Sequence, residues 1–176
     1  MPRRLPRPVL VALVACMAMP VSANPGAQVE GFAFFCIETG GEIADVSARA
    51  TKAGGVRVDM KGSGVGSGGD VVGFALRNAP GGPFLLTAET VARAASTDRQ
   101  CVLMKPEADA RAVERALRET PGFGAPSGRA ESGGNRFTLW DISRLSPGGE
   151  VALIERIDGA NTAVTLSYQR ITEGGR

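Results

Sequence analysis

The stretch VVGFALRNAPGGPFLLTAETVAR, residues 71–93, decides the fold class. Val72, Phe74 and Leu76 fall on one side of its first seven residues, and β-branched and aromatic types fill the run, which is the two-residue period of a strand. Asn78-Ala79-Pro80-Gly81-Gly82-Pro83 is a dense turn cluster, so residues 84–93 return as a second strand. Two strands joined by so short a turn run antiparallel.

Just before this hairpin stands KGSGVGSGGD, residues 61–70, whose Gly64-Val65-Gly66-Ser67-Gly68-Gly69 fits the G-x-G-x-x-G pattern of dinucleotide sites. That pattern works by aiming a helix N-terminus at a pyrophosphate. Here the glycines lead into a strand, so no such helix follows. The stretch reads as a flexible connection, exposed and poorly ordered, and no cofactor is expected.

Working outward, Gly31-Phe32-Ala33-Phe34-Phe35-Cys36 is an apolar, β-prone run that reads as a strand or as aromatics tucked under the core. Thr39-Gly40-Gly41-Glu42 has the spacing of a capping box and predicts a helix start. Ile43, Val46, Ala50 and Ala53 give that helix one apolar face, Arg49 and Lys52 suit its last turn, and Gly54-Gly55 stop it. Val56 to Met60 is a short candidate strand, and Gln100 to Met104 is a further strand after the hairpin. Pro106-Glu107 predicts the opening of a second helix with the apolar stripe Ala110, Val113, Ala116 and Leu117. Glu107/Arg111 and Glu114/Arg118 are placed as i,i+4 pairs on its wet side, and Pro121 ends it.

Residues 121–135, PGFGAPSGRAESGGN, read as a mobile Gly/Ser/Pro loop in which Phe123 packs back. Arg136 to Trp140 alternates as a strand, and residues 151–156 and 162–171 form a hairpin with Val164, Leu166 and Tyr168 on its buried side. The expected fold is α+β: a mostly antiparallel sheet of about six strands with two helices on one face, in the order α-β-β-β-α-β-β-β. That order hints at a duplicated α-β-β-β unit.

The chain opens with Arg3, Arg4 and Arg7, an apolar run from Val9 to about Met19, and small residues at Val21-Ser22-Ala23, the layout of a signal peptide cleaved between Ala23 and Asn24. The run is about 11 residues, short of the roughly 20 a spanning helix needs, so no transmembrane helix is expected in the mature chain. Leu13-Val14-Ala15-Cys16 offers an alternative, lipid anchoring through Cys16. Residues 24–176 are then a single domain in the periplasm or secreted. Of 20 basic residues, three leave with the leader, so 17 face 18 acidic ones. This balance, without a basic cluster, gives no reason to expect a nucleic-acid partner.

The mature chain keeps Cys36 and Cys101, and two cysteines in an oxidising compartment suggest one disulfide. A redox role lacks a C-x-x-C motif, and a thiol nucleophile lacks a histidine to activate it, since the chain has none. The same absence removes Ser-His-Asp catalysis and histidine metal sites. For an enzyme there remain carboxylates, with Glu89 and with Asp141 beside the single Trp140 as candidates for hydrolysis at a sugar.

Phe32 to Cys36, Thr39-Gly40-Gly41, Ala50 and Gly54, followed by a later strand cysteine and a short Pro-started helix, resemble a loosely defined group of small exported proteobacterial proteins of uncharacterised function. Similar sequences carry a tryptophan where Gly55-Val56 stand here. The resemblance implies export and a Cys36–Cys101 link, and it carries over no catalytic residue. The expectation is an exported, non-enzymatic cell-envelope protein contacting a protein or small ligand through its sheet face or Gly-rich loops, with a carboxylate hydrolase as the alternative.

Overall fold

The hairpin of residues 71–93 forms β2 (Asp70–Leu76) and β3 (Phe84–Ala92), antiparallel with Leu76 opposite Phe84. The computed structural model describes residues 24–60, 69–157 and 163–173. Among these are β1 (Val56–Val58), β4 (Ser96–Lys105), β5 (Gly128–Ser132), β6 (Asn135–Asp141), β7 (Gly149–Arg156) and β8 (Val164–Glu173). All eight strands join one antiparallel sheet in the order β1-β2-β3-β4-β8-β7-β6-β5. Helices α1 (Pro25–Phe32), α2 (Ile43–Lys52) and α3 (Ala110–Glu119) complete an α+β fold. Their apolar sides share one buried cluster with Leu86, Leu103, Leu166 and Tyr168 from the sheet.

The expectation of about six strands and two helices in the order α-β-β-β-α-β-β-β is therefore corrected to eight strands and three helices among the described residues, in the order α-α-β-β-β-β-α-β-β-β-β. The additional helix is α1. Asn24 caps it by accepting from the Ala27 amide, and Pro25 stands at its start, where a missing N–H costs nothing. The chain continues as a π-helical segment, Ala33–Ile37, so the run Gly31 to Cys36 is helical and not a strand. Its aromatics do go inward, Phe32 and Phe35 being buried.

Thr39 and Glu42 do not form a capping box. The Thr39 hydroxyl bonds back to the carbonyls of Phe35 and Cys36 at 2.8 and 3.0 Å, closing the segment before it. Glu42 precedes α2 without a side-chain cap bond, and its carboxylate reaches Arg99 instead. The helix face itself is as expected, with Val46 and Ala50 buried and Ile43 and Ala53 packed against them. In α3 the start moves inward: Glu107 is left-handed at φ 54°, and Asp109 is the cap, accepting from the amides of Arg111 and Ala112. Glu107 and Arg111 are thus not a helical pair, whereas Glu114 and Arg118 are, at 2.5 Å.

The loop 121–135 also needs correction. Gly133 and Gly134, at φ 57° and 75°, make a two-residue turn between Ser132 and Asn135, and this turn returns β5 onto β6. Phe123 is buried, as expected. The glycine stretch before β2 lies, for residues 61–68, outside the described residues, as do Cys16, Ala23 and residues 158–162.

The strand order is a palindrome about the ten-residue β4–β8 ladder. Helix α2 packs over β2 and β3, and α3 over β7, so the chain holds two α-β-β-β-β halves. Core positions correspond at nearly constant offset: Val46 and Ala50 with Val113 and Leu117, Phe74 and Leu76 with Trp140 and Ile142, Leu86 and Ala88 with Val151 and Leu153. Disulfide Cys36–Cys101, with 5.4 Å between Cα atoms, ties the π-helical segment to the central strand β4.

Candidate functional site

The two carboxylates weighed for hydrolysis both point away from the helices, but the register separates them. Glu89 stands opposite Gln100, then Gln169, then Glu150, then Asp141. Four inter-strand steps make about 19 Å, whereas a glycosidase pair needs roughly 5 to 9.5 Å. They cannot act on one bond. Trp140 does not help Asp141, because neighbouring strand residues face opposite sides: Trp140 is buried on the helix side with its indole N–H on the Gly124 carbonyl at 3.3 Å. Asp141 closes a local turn, accepting from the hydroxyl and the amide of Ser143, and these two bonds hold its carboxyl below the usual range. Cys36 and Cys101 are buried in their disulfide. Among the described residues no cluster of three or more acidic, Cys or His side chains is placed to hold a metal.

What the strands do assemble is the sheet face turned away from the helices, on which Thr87, Glu89 and Ser167 are buried and Met60 lies over Gly73. Alternation gives each strand its outward residues, and pairing lines them up in rows. One row runs Val56, Ala75, Leu85, Met104, Thr165, Ile154, Phe137, Ala130. The next runs Val58, Gly73, Thr87, Val102, Ser167, Ala152, Leu139, Gly128. The row holding Glu89, Gln100, Gln169, Glu150 and Asp141 borders them.

Two largely apolar rows thus lie beside a polar, acidic one, spanning seven strand spacings or about 33 Å. Met104 is 36% exposed and Val56 62% exposed. An antiparallel sheet with water on one side ordinarily turns polar residues outward. This one does not.

The edges, by contrast, discourage strand addition. β1 has three residues, and β5 is exposed and carries Arg129 and Glu131. Arg129 reaches Glu114 of α3 at 2.6 Å, while Arg136 bonds Glu131 and Glu155, which holds its guanidinium more firmly protonated. A smaller apolar groove on the helix side is lined by Ala27, Gly31, Phe34 and Pro80, and there Arg49 stacks 4.5 Å over the Phe34 ring.

The sequence reading placed contacts on the sheet face in general terms but named none of these outward residues. Their signal was present: Leu85-Leu86, Val102-Leu103 and Leu153-Ile154 are apolar at both parities, which marks a strand with two dry faces. Among the described residues no helix is long and apolar enough to cross a membrane. No family model, curated protein or solved structure matches the chain.

Proposed function

We propose that this chain is an exported, non-enzymatic protein of the cell envelope that binds another protein through the open face of its sheet. The observation that carries the reading is the pair of apolar rows on that face, centred on Leu85, Met104, Ile154 and Phe137. A broad apolar surface with a polar margin is what protein–protein interfaces present. Rows that run across the whole sheet suit a broad partner more than an enclosed ligand, so a protein is favoured over a small ligand. The leader ending at Ala23 supports export, with the periplasm or the exterior as the destination. The disulfide is in keeping with such an oxidising compartment.

The test is site-specific photo-crosslinking in the exporting cell. A benzophenone side chain at Met104 or Ile154 is expected to give a discrete protein adduct, while one at Arg115 on α3 gives none. Adducts from the helix side alone would remove the sheet face from consideration. Turnover of an ester, peptide, glycoside or phosphate by the purified protein would refute the non-enzymatic part.

A further inference from the structure

Where the helix side of the sheet runs out past Tyr168 and Cys101, the register sets Arg99 of β4 directly opposite Arg170 of β8. Like charges facing across a ladder repel and are ordinarily avoided. Arg99 is partly neutralised: one Nη bonds Glu42 at 2.7 Å, and the other donates to the Thr172 hydroxyl at 3.3 Å. Among the described residues Arg170 has no acidic partner. The Nε atoms of both are shielded from solvent without a hydrogen-bond acceptor.

Two glycines adjoin this guanidinium: a Cβ at Gly40 would stand 3.1 Å from an Arg170 Nη, and Gly149, the strand neighbour of Arg170 on β7, has its Cβ side filled by Ser146 and the Tyr168 ring.

We infer that Arg99 and Arg170 form a binding site for a single carboxylate group. A guanidinium presents parallel N–H donors matched to two oxygens of one anion, and the Nε edges here lack any acceptor. Charge selects among oxyanions. The two arginines less Glu42 leave one positive charge, which a carboxylate cancels. A phosphate dianion would exceed it and press against Glu42. This site lies on the helix side, independent of the open face, and stands or falls apart from that reading.

The experiment follows the arginine Nε–Hε signals of the intact, oxidised protein by NMR while sodium acetate replaces sodium chloride at constant ionic strength. Saturable movement of the Arg99 and Arg170 signals is expected, with Arg77 unmoved. Arg170→Gln should weaken acetate binding about tenfold or more, as loss of a charge-assisted bond implies. Arg170→Lys, which keeps the charge, should weaken it by a smaller factor.

A short peptide with a free C-terminus and its amide form the second arm. Tighter binding of the free acid than of acetate identifies a chain terminus as the source, and equal binding identifies a small free acid. Non-saturable shifts shared with Arg77, or inorganic phosphate binding more tightly than acetate, would overturn the assignment. Should Arg170→Gln fail to fold, the wild-type titration and Arg170→Lys decide it alone.

Discussion

In the half built on α2 and β1–β4, the helix presents Val46 and Ala50 to a strand pair whose inward positions include Phe74 and Ala88, and β4 is tied covalently to Cys36. In the half built on α3 and β5–β8, the matching positions hold Val113, Leu117, Trp140 and Leu153. Among the described residues no disulfide lies there. Instead Tyr168 and Ser146 share a buried hydrogen bond at 2.7 Å, and Glu114 gathers Arg118 and Arg129 at 2.5 and 2.6 Å. One layout is thus secured in two ways, by a covalent link where Ala50, Phe74 and Ala88 stand, and by the larger Leu117, Trp140 and Leu153 with polar bonds around them in the other half. The cross-link offsets what Ala50 and Ala88 do not bury.

The largest effect should come from the better-filled half. Trp140→Ala removes a fully buried ring and strands the Gly124 carbonyl, for a loss of about 4–5 kcal/mol. Thermal unfolding should then drop by roughly 10–15 °C. Phe74→Ala, its counterpart, is expected to cost less while the disulfide is intact. A larger loss for Phe74→Ala would break the comparison.

Next comes the disulfide. Replacing Cys36 and Cys101 with alanine frees a long loop in the unfolded chain and should cost about 3–4 kcal/mol. Hydrogen exchange gives the sharper readout. Amides of α2, β2 and β3 should lose protection before those of β6 and β7. Uniform loss across both halves would mean that the link secures the whole sheet.

The extent to which this was legible beforehand differs between the halves for a physical reason. Strands with clean alternation, such as Val72/Phe74/Leu76 and Val164/Leu166/Tyr168, were readable because one-sided burial writes its period into the residues. Strand β5 was not, since GRAES lies at an edge, exposed along nearly its whole length, and has no inward set to alternate. Its one signal was Gly133-Gly134, the turn of a tight hairpin. The π-helical segment was hidden by aromatics that favour strands, and α1 before it was missed although Asn24-Pro25 is a helix start. Thr39 misled because a hydroxyl can close the turn behind it as well as open the one ahead. The rows of the open face and the Arg99–Arg170 pair depend on register between strands far apart in the chain, which composition does not encode.

A third prediction concerns α1, which touches both α3 and β4 and so bridges the halves. Gln28 is completely buried there, and among the described residues neither polar atom of its amide has a hydrogen-bond partner. Gln28→Met keeps the volume and removes the orphaned dipole, so it should stabilise by about 1 kcal/mol. A few degrees' rise in unfolding temperature would follow. A destabilised variant would indicate that the amide has a polar role at this junction.

The smallest effect lies at the margin of the second half. Asp141 is exposed, and its carboxyl is held below the usual range first by the Ser143 hydroxyl and then by the Ser143 amide. A carboxyl depressed in the folded state adds stability above its unfolded pKa, and this is lost as pH falls through the folded value. The window is therefore acidic, below the ordinary carboxylate range. Because the group is exposed, thermal unfolding should barely register it. The side-chain carboxyl ¹³C shift will: its midpoint should lie below that of an unperturbed aspartate. Ser143→Ala should raise it part of the way, the backbone bond remaining. A midpoint unchanged by Ser143→Ala would mean that the hydroxyl does not hold the carboxylate in solution. The turn joining β6 to β7 would then be looser than the strands it joins, and the hold on that half would rest on buried side chains such as Trp140 and Leu153 and not on this turn.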